Sequence, residues 1–155
     1  MKKYILLTTI ILLGQSLIRA HCQVPCGIYD DSIRIIQIKE DFTTIKKAMI
    51  KIKELSTNSD ALSKNQLYRW VNEKDKHASN IQNIITNYFL TQRIRETNSK
   101  YFEQVTSLQK LLVIAMKCKQ SVDKENIEIG LKLVDLFSQA YFDSHGLEHL
   151  KEISK

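Results

Sequence analysis

Apolar side chains recur every three or four residues in four successive segments from residue 31 onward, and that spacing dictates helices packed side by side. Over residues 31–55 the stripe is Ile35, Ile38, Phe42, Ile45, Met49 and Ile52, with Lys39, Glu40, Lys46, Lys47 and Lys51 facing out. Residues 56–60 are polar and break it. Ser63 and Gln66 then have the spacing of a capping box, which predicts the start of the second helix. Its inner face carries Leu67, Trp70, His77, Ile81, Ile84, Tyr88 and Phe89, and it runs to about Arg95. After Glu96-Thr97-Asn98-Ser99, a third stripe shows Tyr101, Val105, Leu108, Leu112, Ala115 and Cys118. Ser121-Val122-Asp123 closes that helix and caps a fourth, with Ile127, Leu131, Val134, Phe137 and Tyr141; Gly146 reads as its C-terminal cap and the tail from Leu147 as frayed. Glycine and proline break helices, and the chain has only four glycines and one proline. Connections of a few residues join antiparallel neighbours. The expected fold of residues 31–155 is therefore all-α, an up-down-up-down antiparallel four-helix bundle.

Residues 1–20 read differently. Lys2 and Lys3 give a positive start, residues 4–13 are almost unbroken apolar, Gly14, Gln15 and Ser16 turn polar, and Ala20 is small. This is the layout of a secretory leader or signal peptide removed before His21, although Ile18 is larger than the usual residue three before a cut. Roughly ten apolar residues fall short of the ~20 that span a bilayer. Export to the periplasm or the exterior is expected, with no stable membrane association after processing; cytoplasmic location follows if the leader is only a propeptide. Of the 23 Lys and Arg residues, Lys2, Lys3 and Arg19 lie in this leader, leaving 20 against 17 acids, so a formal +6 becomes +3. Mixed signs at that net charge argue against a nucleic-acid partner. They are compatible with mild attraction of a small anion.

Between leader and bundle stands His21-Cys22-Gln23-Val24-Pro25-Cys26-Gly27-Ile28-Tyr29, with two of the three cysteines and the only proline. A cut after Ala20 gives His21 a free α-amine beside its imidazole. The amine, the amide nitrogen joining His21 to Cys22 and the Cys22 thiolate can close fused chelate rings, and Pro25 and Gly27 turn the chain so that the Cys26 thiolate returns to the same centre. Two nitrogens and two sulfurs in a plane suit nickel(II), where zinc wants a tetrahedron. The imidazole can fill an axial position in a higher oxidation state. On spacing alone two other readings stand: a small Cys22–Cys26 disulfide, favoured by export, and no role at all. A His-Cys start at a cleavage point tilts the balance to metal.

His21-Cys22-x-x-Pro25-Cys26-Gly27-x-Tyr29 closely resembles the N-terminal nickel hook of the nickel superoxide dismutase family, and Arg69-Trp70-Val71 and Tyr88-Phe89-Leu90 resemble helix segments of that family. The resemblance implies disproportionation of superoxide to dioxygen and hydrogen peroxide, with one nickel ion per chain cycling between Ni(II) and Ni(III). It implies His21, Cys22 and Cys26 as metal ligands, Tyr29 over the open face and Tyr88 supporting it, and assembly as a homohexamer. Gln23, Gln37 and His77 stand where some family members carry an acidic residue, a Glu and an Arg. The alternative is a non-enzymatic secreted helical protein that binds copper or nickel through the same terminus.

Cys118 on an inner stripe is expected to be a buried thiol that behaves as a small hydrophobe. His77 is expected to be a hydrogen-bonded core histidine, with support of His21 as its second reading. His145 and His149 are expected to be solvent-exposed or to sit favourably at a helix C-terminus.

Overall fold

A computed structural model describes residues 30–155, so the leader and residues 21–29, with the expected cut before His21, lie outside the described residues. The described chain is helical with short connections: α1 (Asp31–Leu55), α2 (Ala61–Asn83) continued without interruption by a π-helical stretch (Ile84–Arg93), α3 (Tyr101–Gln120), α4 (Glu125–Tyr141) and α5 (Ser144–Ile153). No strand occurs among the described residues. α1 packs against α2 and α4, and α3 closes the ring by packing against the same two. This is the antiparallel four-helix bundle that the stripes require. α5 lies outside the ring, against α1.

The stripes fill the centre. Ile35, Ile38, Phe42, Ile45 and Met49 of α1 are fully buried, as are Ile81, Ile85 and Phe89, Leu108, Leu111 and Cys118, and Ile127, Val134 and Phe137. Burying a side chain of this size contributes about 1.5–3 kcal/mol. Two inner positions expected of α2, Leu67 and Trp70, are only half-buried, and the α2 core begins lower, at Ala78. Trp70 instead lies under the Lys47 ammonium, 5.8 Å from the ring centroid. The core of α3 also includes Leu111 and Ile114, each one position before an expected stripe residue, while the stripe residue Leu112 is only half-buried.

Two helix ends correct the sequence reading. α2 starts at Ala61, not at Ser63: the Asp60 carboxylate accepts from the Ser63 amide at 2.9 Å, so Asp60 is the cap. Gly146 does not end α4. α4 stops at Tyr141, and the Asp143 carboxylate accepts from the Gly146 amide at 2.8 Å, which starts α5 where a frayed tail was expected. The expected stop after α3 is present, with Ser121 terminating it and Asp123 Oδ1 accepting from the Glu125 amide at 3.0 Å.

Candidate metal centre

The expected ligands His21, Cys22 and Cys26, and Tyr29 with them, lie outside the described residues. What is described is the end of the bundle to which that segment is joined. Asp30 caps α1, its carboxylate accepting from the Ser32 amide at 2.8 Å, and Asp31 is the first helical residue. Two acids at a helix N-terminus meet the positive end of the helix dipole.

Asp31 is the centre of a dense polar group. Its Oδ1 accepts from the Tyr88 hydroxyl and lies 2.9 Å from Arg93 Nε, and its Oδ2 accepts from the Tyr141 hydroxyl at 2.6 Å. Arg93 Nη2 donates back to the Tyr88 oxygen at 2.9 Å. The guanidinium groups of Arg34 and Arg93 each lie 5.1 Å from the centroid of the Tyr88 ring. Arg34 Nη1 donates to Gln37 Oε1 at 2.9 Å, so Gln37 is engaged on its own helix.

The π-helical stretch is what brings Arg93 here. In an α-helix, residues three and four apart share a face and a residue five ahead has rotated away. In π geometry, with bonds from residue i to i+5, the fifth residue stacks one turn above the first. Three such pairs mark the stretch: the Ile94 amide on the Phe89 carbonyl, Thr91 Oγ1 on the Thr86 carbonyl and Gln92 Nε2 on the Asn87 carbonyl. Arg93 over Tyr88 is a fourth pair of the same spacing.

Below the polar group lies an aromatic floor. Phe89 meets Tyr88, Phe137 and Tyr141 edge-on at 5.2, 5.0 and 5.5 Å between centroids, and Phe137 stacks on Tyr141 at 5.2 Å. Burial pushes the Tyr88 phenol above its ordinary pKa, and its bond to Asp31 pushes the same way against the Arg93 contact. Tyr141 is raised further, by burial and again by Asp31. Both phenols therefore stay protonated through the neutral range. The Tyr88 bond also holds Arg93 firmly charged, with Asp31 adding to it.

Of the histidines, His77 is half-buried and sits away from this group, its Nδ1 2.6 Å from Asp41 Oδ1, with Asn80 Nδ2 donating to Asp41 Oδ2 at 2.8 Å. The hydrogen bond expected of His77 is present, but the side chain is half-buried between α1 and α2 and is not the core residue expected. His145 is exposed. His149 on α5 is half-buried, with Nε2 against Asp30 Oδ2, so it secures the cap next to Tyr29 and is no mere surface residue. Cys118 is fully buried, and burial pushes its thiol up to about 11. Among the described residues no group of three or more His, Cys, Asp or Glu side chains is placed to hold a metal ion, and no helix is long and apolar enough to cross a membrane.

Sequence reasoning reached Tyr88 but missed Asp31, Arg93 and the second role of Tyr141. Asp31 had one available signal: two consecutive acids directly follow Tyr29. Arg93 and Tyr141 had none, since the first depends on π geometry and the second on a partner 110 positions away.

Comparison with known proteins supplies the family. Residues 16–145 match the family model described as nickel-containing superoxide dismutase, a span that takes in residues 21–29 and all four bundle helices. Searches of curated proteins and of solved structures returned no match. The chain belongs to the nickel-containing superoxide dismutases, and it is accordingly a nickel-dependent oxidoreductase that acts on superoxide.

Proposed function

We propose that the protein disproportionates two superoxide ions and two protons to dioxygen and hydrogen peroxide at a nickel site formed by its own processed N-terminus. The observation that carries this reading is the segment His21-Cys22-x-x-Pro25-Cys26-Gly27-x-Tyr29, which falls inside the matched span. The donor chemistry fits the ion: an α-amine, an amide nitrogen and two thiolates are the set a tetragonal nickel ion accepts, with an imidazole in reserve. Bound there, nickel would supply one-electron chemistry between Ni(II) and Ni(III), lowered in potential by the thiolate and amidate donors.

The chain's own residues do the rest. His21 contributes its amine only once the bond to Ala20 is cut, so removal of residues 1–20 creates the site. Pro25 and Gly27 set the turn that returns Cys26. Tyr29 limits access to small anions and orders water, the source of the protons. Tyr88, held neutral by burial and by Asp31, supports Tyr29 without charge. Export through the leader and assembly as a homohexamer complete the reading.

The test uses protein cut to begin at His21 and loaded with nickel. Fast catalysed decay of superoxide is expected only when the cut and the metal are both present. Stoichiometric nickel on a His21 terminus without such decay would refute the reading. Cys22→Ser and Cys26→Ser are each expected to remove nickel binding and activity while circular dichroism shows the helices intact.

A further inference from the structure

One carboxylate serves three segments at the end of the bundle that leads to the nickel-binding residues. Asp31 of α1 takes the hydroxyls of Tyr88, from the π-helical stretch, and Tyr141, from the end of α4, together with Arg93 Nε at 2.9 Å. The Tyr88 proton is thereby committed to Asp31, while its oxygen receives Arg93 Nη2 at 2.9 Å. Closing a helix end needs none of this, because an apolar contact there avoids the desolvation of a carboxylate and a guanidinium. What the arrangement gives is a phenol that can neither swing nor surrender its proton readily. Asp31 also stands two residues after Tyr29, so the group is tied to the nickel-binding segment by the shortest of connections.

We infer that Asp31 is a positioning residue for the dismutase reaction: it clamps the Tyr88 hydroxyl, with Arg93 and Tyr141 as the other arms of the clamp, where the nickel-binding segment enters the bundle. The inference rests on the reading that Tyr88 serves the nickel site. It assigns Tyr88 a role through shape and through its oxygen, not as an acid, because the phenol's hydrogen is already spent on Asp31. Among the described residues the charged and titratable groups facing Tyr88 are Asp31 and Arg34 from α1, Arg93 from its own segment and Tyr141 from α4. Of these, Asp31 is the one whose charge holds the phenol protonated, acting beside burial.

The experiment compares processed, nickel-loaded wild type with Asp31→Asn and Tyr141→Phe. Asp31→Asn is expected to keep its helix content and its nickel but to lose roughly ten- to a hundredfold of activity, the usual range for a residue that orients a metal site from outside it. The alkaline limb of its activity profile should move to lower pH, and spectrophotometric titration of the nickel-free protein should show one phenol ionising earlier. Tyr141→Phe keeps the Asp31 charge, so its loss of activity should be smaller and its alkaline limb less displaced. An Asp31→Asn protein with unchanged activity, profile and titration overturns the inference, as does loss of activity explained by lost nickel. Should Asp31→Asn fail to fold, Tyr141→Phe decides, and unchanged activity and pH profile there overturn it. Wild type that binds nickel and leaves superoxide untouched would refute the nickel-site reading itself, and the inference with it; active wild type separates the two failures.

Discussion

The ammonium of Lys74, a side chain almost wholly buried on α2, lies 2.8 Å from the carbonyl oxygen of Cys118 on α3. Its other partners are the Lys119 carbonyl and Asp75 Oδ1, the latter at 2.9 Å. A lysine is rarely buried unless paired. Here it caps the last carbonyls of a neighbouring helix, where the negative end of the helix dipole welcomes a cation. Lys74→Met keeps the stem and deletes the charge, stranding those carbonyls. The expected loss is about 2–3 kcal/mol by urea unfolding, with nickel binding unchanged. A Lys74→Met protein as stable as wild type would show that water caps α3 equally well.

Gly130 faces Phe42 so closely that a Cβ there would stand 2.4 Å from two atoms of the ring. In mid-helix, Gly→Ala normally gains about 1 kcal/mol. At this position the fully buried ring has nowhere to go, and overpacking costs about 1–3 kcal/mol. Gly130→Ala is expected to lower stability, and Phe42→Leu in the same chain to reduce the added cost. A stabilised single variant would mean that the α1–α4 contact is looser than drawn.

Asp41 gives a pH dependence of definite sign. Burial raises its pKa, outweighing the bonds from His77 and Asn80 that lower it. The native state therefore keeps this proton longer than the unfolded chain does. Its contribution is most favourable below the unfolded value and diminishes as pH rises through the native one. Relative to Asp41→Asn, wild type is expected to lose stability as pH climbs from about 4 towards neutrality. A relative gain over that range would reverse the assignment.

Cys118 tests which thiols matter. Fully buried and raised to about 11, it carries almost no thiolate at neutral pH. It is expected to resist thiol reagents until the protein unfolds, and Cys118→Ala is expected to retain nickel and activity at a modest stability cost. Loss of nickel in that variant would move the metal site into the bundle.

The bundle was legible because it is written in local periodicity: Ile35 to Met49 need only be three and four apart to define a face. Helix ends were less so. Ser63 carries the right spacing for a capping box, but Asp60, three residues earlier, offers a carboxylate to the Ser63 amide and takes the role. Gly146 looks like a stop in sequence, yet Asp143 before it turns it into a start. The proposed nickel-binding residues could be nominated from the sequence because each of His21, Cys22, Pro25, Cys26 and Gly27 has its own chemical task within a few residues; they lie outside the described residues. The clamp on Asp31 could not, since its arms come from distant helices and one from a π turn that no apolar stripe announces.

The central claim is that residue 21 must be a chain terminus for the chemistry to exist. The direct measurement is superoxide decay, followed by stopped flow, for two nickel-treated proteins that differ only in whether Ala20 still precedes His21. Protein beginning at His21 is expected to bind nickel stoichiometrically and to accelerate the decay in proportion to its concentration, while the Ala20-extended protein leaves the uncatalysed rate unchanged. Equal acceleration by both, or by neither with nickel bound, would contradict the account.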